Sequence, residues 1–230
     1  MTQIAIGPQM ERPAGRWWLP WLPVGYTVAV HTLDTLALHL SLEGAPRAVL
    51  PWQLGGFDLL KFVAWFVIPL AFSVKGMDWG YLGFKRWRLI DFGLLLGLAS
   101  AGIVAILAVR YIPSLHSFYP SQSGLSPEQK KFFLMYWLSW AGSWLIGWEF
   151  LHRYVLVRAF QESRPWLALM VVPLIEGGYH LGQKHWLEAL AMTAFSFILC
   201  LWTLRRRNAL LPFFAHLLIE LELLAFLLLL

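Results

Sequence analysis

Six ionisable side chains in the C-terminal half of the chain fall into three pairs. Glu149 stands four residues before Arg153, Glu176 four before His180, and His216 four before Glu220. A spacing of four puts both members of a pair on one helix face, about one turn apart. A carboxylate beside an imidazole can activate water for attack on a carbonyl, and a second imidazole with an arginine can stabilise the resulting oxyanion. The same groups admit a second chemistry, in which His180, His216 and one or two of the glutamates ligate zinc. No HExxH is present, and the two histidines stand in separate segments. Each pair taken singly also has a plainer use, an intrahelical ion pair or hydrogen bond that helps its helix insert.

The surroundings of these residues turn three pairs into one question. The chain has 230 residues, of which 59% are hydrophobic and only 13% charged, with a mean hydropathy of +0.60. An average soluble domain is roughly one quarter charged. The 18 basic and 13 acidic side chains are too few to cover a water-soluble globule of this size, so the chain reads as a bilayer protein. Disorder, collagen and a disulfide scaffold are excluded by the same composition. The lone Cys200 cannot form an intrachain disulfide. An ionised side chain near the bilayer centre costs about 2.5–3.5 kcal/mol. The six polar residues must therefore face one another or a hydrated cavity.

Apolar runs at about 20–42, 57–74, 89–112, 131–161, 165–183, 186–204 and 208–230 are each long enough to cross a bilayer, which takes about 20 residues. They predict an all-α, polytopic transmembrane bundle of seven or eight helices around an intramembrane polar cavity, forming a single membrane domain over 1–230 with a polar tail at 1–16. The segment from Trp17 to Pro23 is too broken by proline for a signal-peptide core. Ser126-Pro127-Glu128 reads as a helix start, and the run 131–161 as one long helix, tilted or broken.

Charge sets the expected orientation. With the N-terminus cytoplasmic, seven crossings place Arg12, Arg16, Lys75, Lys85, Arg86, Arg88, Arg158, Arg164 and the triple arginine Arg205, Arg206 and Arg207 inside. Arg47, Arg110, Lys130, Lys131 and Lys184 fall outside, a bias in the sense of the positive-inside rule. The net charge of +5 is topology signal of this kind, and no nucleic acid is expected as a partner. Lys85, Arg86 and Arg88 read as a retention signal with an anionic-lipid contact.

Other residues receive plainer readings. Trp137, Trp140, Trp144 and Trp148 form one helical stripe, expected against lipid or a neighbouring helix. Trp17, Trp18, Trp52, Trp79, Trp87, Trp166 and Trp186 lie near run ends, at headgroup level. His31, Asp34 and His39 read as wet packing in the first run, His152 as a neighbour of Glu149, His116 and His185 as solvated loop residues, and Glu222 as structural or exit-facing.

The order of the motifs resembles the intramembrane CAAX-protease and bacteriocin-processing (CPBP) family. Trp148-Glu149-Phe150-Leu151-His152-Arg153 is similar to its EExxxR motif, Glu176-Gly177-Gly178-Tyr179-His180 to FxxxH, and His216-Leu217-Leu218-Ile219-Glu220 to HxxxN or HxxxD. The segment Tyr81 to Arg86 resembles a further family feature, so the likeness spans about 80–225. It implies a helical bundle with a conical cavity and metal-independent hydrolysis of a peptide bond near the membrane, with no cofactor. Its implied substrate is a membrane-anchored or membrane-proximal protein segment.

By the resemblance Glu149, Arg153, His180 and His216 take the family's positions, and Glu220 that of the asparagine or aspartate. Trp148 replaces the family's first glutamate, the water-activating base, and Glu176 replaces the phenylalanine. Either Glu149 or Glu176 then serves as base with His180, while His216 and Arg153 stabilise the oxyanion and Glu220 holds His216; or the scaffold has lost hydrolysis and acts as an immunity, accessory or partner-binding factor. Ion or proton transport through the polar centre is a third use. The expected location is a bacterial or archaeal inner membrane. Depth sets a difficulty: Glu149 and His216 lie about 12–14 Å from the cytoplasmic end but His180 about 22 Å, so convergence requires the Gly177-Gly178 pair to break or tilt its helix.

Overall fold

The computed structural model describes residues 21–42, 53–54, 56–83, 87–116, 118–162 and 164–229. Among these, seven long helices follow the seven apolar runs: α1 Trp21–Leu42, α2 Leu59–Gly76, α3 Leu89–Val109, α4 (127–161), α5 Pro165–Gln183, α6 Trp186–Arg206 and α7 Leu210–Leu229. Just before α2, Gln53–Leu54 pairs antiparallel with Phe57–Asp58. Helices α2, α3, α6 and α7 are long and apolar enough to cross a bilayer. Helices α1, α4 and α5 instead carry Asp34, Glu149, Arg153, Glu176 and His180. The chain is an all-α integral membrane protein.

Helix α4 starts as its sequence requires. Ser126 accepts from the Gln129 N–H while Gln129 accepts from the Ser126 N–H, and Pro127 occupies the first turn. It then passes without a break through a π-helical stretch, Phe150–Leu156, before closing at Val157–Gln161. Such widened turns recur at functional sites, and this one carries His152 and Arg153.

The expected break in α5 does not occur. The helix runs unbroken through Pro173, Gly177 and Gly178, and Gly177 serves packing instead. A Cβ on Gly177 would collide with Thr193 Oγ1 of α6, so its absence is what lets α5 and α6 lie close. These two helices share the most extensive contact in the bundle. Gly102 does the same for α3 and α7, lying against Ile219 and Glu222. Glu222 is thus at a helix–helix contact.

Polar contacts define two ends of the bundle. At one, Asp91 accepts a two-pronged bond from Arg206, at 2.8 Å from Nε and 2.7 Å from Nη2. Here too Arg158 donates to the Gly76 carbonyl at 3.0 Å. The α6–α7 turn at this end uses Arg207 at φ 47° and Asn208, whose Oδ1 caps the Leu210 and Leu211 N–H groups. At the other end, His39 Nε2 donates to the Gly182 carbonyl, and Asp34 accepts from Tyr179 and Gln183 and pairs with Lys61. The Gln122 N–H there meets the Leu227 carbonyl. His185 is the N-cap of α6, its Nδ1 accepting from the Leu187 N–H, rather than a free loop side chain. Arg12, Arg16, Trp17, Trp18, Arg47, Trp52, Lys85, Arg86 and the side chain of His116 lie outside the described residues.

Replacing Gly177 by leucine should therefore separate α5 from α6. Overpacking of this kind costs about 1–3 kcal/mol, so a lowered melting temperature in detergent is expected, whereas Gly178→Leu, facing open space, should leave it nearly unchanged.

Candidate active site

Arg153 lies at the centre of a network that joins three helices. Fully buried, its guanidinium meets both oxygens of Glu176, at 2.6 Å from Nη1 to Oε1 and 2.9 Å from Nη2 to Oε2. Its Nε donates to Glu149 Oε2 at 3.2 Å, one turn back on the same helix. Nη1 also reaches Ser196 Oγ and Cys200 Sγ of α6, each at 3.1 Å. The Ser196 hydroxyl donates to Glu176 Oε1 at 2.9 Å, and the Trp148 indole donates to Glu176 Oε2 at 3.2 Å. Planar forks of this type suit guanidinium–carboxylate pairs.

The second glutamate links the network to α7. His216 Nδ1 donates to Glu149 Oε1 at 2.6 Å. Glu149 is nearly as buried as Arg153, and both its oxygens are engaged. A carboxylate that holds Nδ1–H fixes the imidazole's orientation and leaves Nε2 for other chemistry.

His216 faces a cavity of about 270 Å³. The tryptophan stripe forms one wall, since Trp137, Trp140, Trp144 and Trp148 all line it. The stripe meets neighbouring helices as expected, through Trp148 on Trp65 at 5.4 Å, and lines the cavity as well. Neighbouring rings along it meet edge to face, at centroid distances of 5.3, 5.3 and 6.4 Å, and Trp144 meets the His216 ring in the same way at 5.6 Å. Ile106 and Val109 of α3, Leu187 and Met192 of α6, and Ile219 and Leu223 of α7 add apolar surface. The polar lining includes His180, Glu188, His216, Glu220, Gln183, the two lysines Lys61 and Lys184, and the tyrosines Tyr119 and Tyr179.

His180 enters this cavity without joining the Arg153 network. Its Nδ1 donates to Glu188 Oε1 at 3.2 Å, and its ring meets Trp148 edge-on at 5.8 Å. The depth difficulty resolves here. α5 stays unbroken, and the two histidines line one cavity, each bonded to a carboxylate of another helix.

The sequence-expected residues therefore divide into two groups. His180, His216 and Glu220 line the cavity, while Glu149, Arg153 and Glu176 lie behind its wall. Glu176 and His180, although one turn apart, point to different partners. Glu220 Oε2 has no hydrogen-bond partner, and the carboxylate bonded to His216 is Glu149, not Glu220. Among the described residues, no three histidine, cysteine, aspartate or glutamate side chains gather as metal ligands, so the zinc arrangement of His180, His216 and glutamates does not form. His152 donates to the Trp148 carbonyl at 2.7 Å and stacks within the aromatic core beside His31.

Sequence reasoning missed Glu188 and Ser196. An acid in the first turn of a helix is ordinary, because it favours the positive end of the dipole, and so Glu188 attracts no notice. A serine inside an apolar run carries still less signal. The usable clue was Glu176 itself, a carboxylate in hydrocarbon that one arginine cannot fully satisfy.

Residues 130–221 match the family model described as type II CAAX prenyl endopeptidase Rce1-like. No curated protein and no solved structure matches the chain. The matched segment contains the whole Arg153 network, both cavity histidines, Glu188 and Glu220; the Tyr81–Gly83 turn lies outside it. The segment that builds the cavity is thus similar to a family of membrane proteases, the CAAX prenyl endopeptidases.

Proposed function

We propose that the chain is an intramembrane endopeptidase that hydrolyses a peptide bond in a membrane-anchored or membrane-proximal protein segment. The observation that carries this reading is the pair of imidazoles on one cavity wall, His180 and His216, each held through Nδ1 by a carboxylate at 3.2 and 2.6 Å. Oriented imidazoles of this kind serve as proton carriers or oxyanion donors in hydrolases. Here Glu149 orients His216, and Arg153 holds Glu149 in place while Glu176 balances the arginine. Glu149, Arg153 and Glu176 thus act through His216 rather than on the substrate. The aromatic walls suit an extended peptide with apolar side chains, delivered from the bilayer.

Trp148 supports a rival reading, since it occupies the position of the family's first glutamate. A scaffold without hydrolysis would bind a partner through the same cavity. The two readings separate in proteoliposomes containing a pool of internally quenched peptides, half of them lipid-anchored. Cleavage by the native chain, lost by about 100-fold or more in His216→Ala and in His180→Ala with unchanged melting behaviour, is expected of the protease. Full activity in Glu149→Ala, His180→Ala and His216→Ala alike would remove the mechanism.

Seven crossings with a cytoplasmic N-terminus complete the proposal. In that arrangement Lys75, Arg158, Arg164 and Arg205–Arg207 share the cytoplasmic end, and Lys61, Tyr119, Lys184 and Glu188 mark the opposite one. The cavity is then reached from the non-cytoplasmic side. A cysteine placed at exposed Ser123 should react with a membrane-impermeant maleimide in intact cells, and one placed at Arg205 only after permeabilisation; buried Cys200 adds no background. The reverse pattern would invert the orientation.

A further inference from the structure

Four glutamates stand on or behind the cavity wall, and their hydrogen bonds differ. Glu149 gives one oxygen to His216 and the other to Arg153. Glu176 spends both on Arg153, with Ser196 and Trp148 as added donors. Neither lines the cavity. Glu188 and Glu220 do, and each has a buried Oε2 with no hydrogen-bond partner. A buried carboxylate oxygen left without a donor is costly, and beside a cavity the simplest donor is water. Glu188 alone of the four combines this oxygen with a bond to a cavity histidine, through Oε1 to His180 Nδ1, and the Tyr119 hydroxyl, also in the cavity lining, is a second donor to its carboxylate.

We propose that Glu188 of α6 is the water-activating carboxylate, bonded to His180, whose ring Trp148 meets edge-on. The inference rests on the hydrolase reading and names its base. Glu188 Oε2 accepts a proton from water as the water oxygen bonds to the scissile carbonyl carbon. The carbonyl π pair moves onto its oxygen, where His216 stabilises it through Nε2–H, His216 being the cation that balances the second buried carboxylate of the Arg153 network. Collapse of the tetrahedral adduct breaks the C–N bond, and the departing amine takes the proton from Glu188. His180 holds the Glu188 carboxylate in register throughout. Water is the only co-reactant.

The position also accounts for Trp148. With its indole nitrogen bonded to Glu176 and its ring edge-on to His180, Trp148 serves as a wall between the network and the cavity, a place where a carboxylate is no longer needed.

The test uses the full chain in proteoliposomes with the same quenched peptide pool, comparing Glu188→Gln, Glu188→Asp and Glu220→Gln with the native chain. Glutamine preserves the acceptor for His180 but cannot take a proton. A fall in kcat of about 100-fold or more in Glu188→Gln, with KM within about twofold, is expected of a lost general base. Glu188→Asp, which withdraws the carboxylate by one methylene, should be slowed to an intermediate rate, and Glu220→Gln should be slowed less than Glu188→Gln. Should Glu188→Gln fail to fold, an unslowed Glu188→Asp would still overturn the assignment. A Glu188→Gln chain retaining more than half its kcat, or loss confined to Glu220→Gln, would overturn it while leaving the protease reading intact. A native chain that cleaves none of the peptides would overturn both.

Discussion

The fork between Arg153 and Glu176 is the constraint around which the C-terminal half is organised. Two carboxylates and a guanidinium within a bilayer helix bundle are tolerable only when each is paired and hydrogen-bonded. The arginine sits on α4, its partner on α5, and the serine that completes the arrangement on α6. Once these three helices are locked at one level, Glu149 is held one turn back, and His216 of α7 is drawn to it. Breaking one partner of such a buried set costs about 3–5 kcal/mol, so the network fixes helix register as well as charge. The π-helical stretch around Arg153 is part of the same requirement, since it sets where the guanidinium points relative to Glu149.

Function, in this arrangement, is layered. Charges that must never meet water lie behind the wall, and the groups that could handle a proton lie on it. The tryptophans separate the two layers. They cover the buried salt network on one side and line the cavity with aromatic surface on the other. A cavity at one end of the bundle, opposite the Asp91–Arg206 and Arg158–Gly76 contacts, is consistent with a site placed off the membrane midplane.

Much of the fold was legible in the sequence because lipid leaves few alternatives to apolar helices. All seven runs became helices, and Ser126-Pro127 marked its boundary correctly. The pairing of Glu149 with Arg153 followed from helical spacing alone. The same spacing held for His216 and Glu220, which line one cavity, but misled at Glu176 and His180, because tertiary partners decide which way each side chain turns. Glu176 found an arginine on α4, whereas His180 found Glu188 across the α5–α6 turn. Gly177 and Gly178 were equally ambiguous. A glycine can weaken a helix or admit a neighbour, and only the position of Thr193 tells which.

The dependence of the site on the Arg153 fork is most directly measured by a double-mutant cycle of stability in detergent, using Arg153→Met, Glu176→Gln and the two together. If the pair is coupled as the geometry requires, removing both side chains costs less than the two single losses combined, by about 1–3 kcal/mol. Strictly additive losses would mean that the two side chains do not hold one another, and that the helices are assembled by something else.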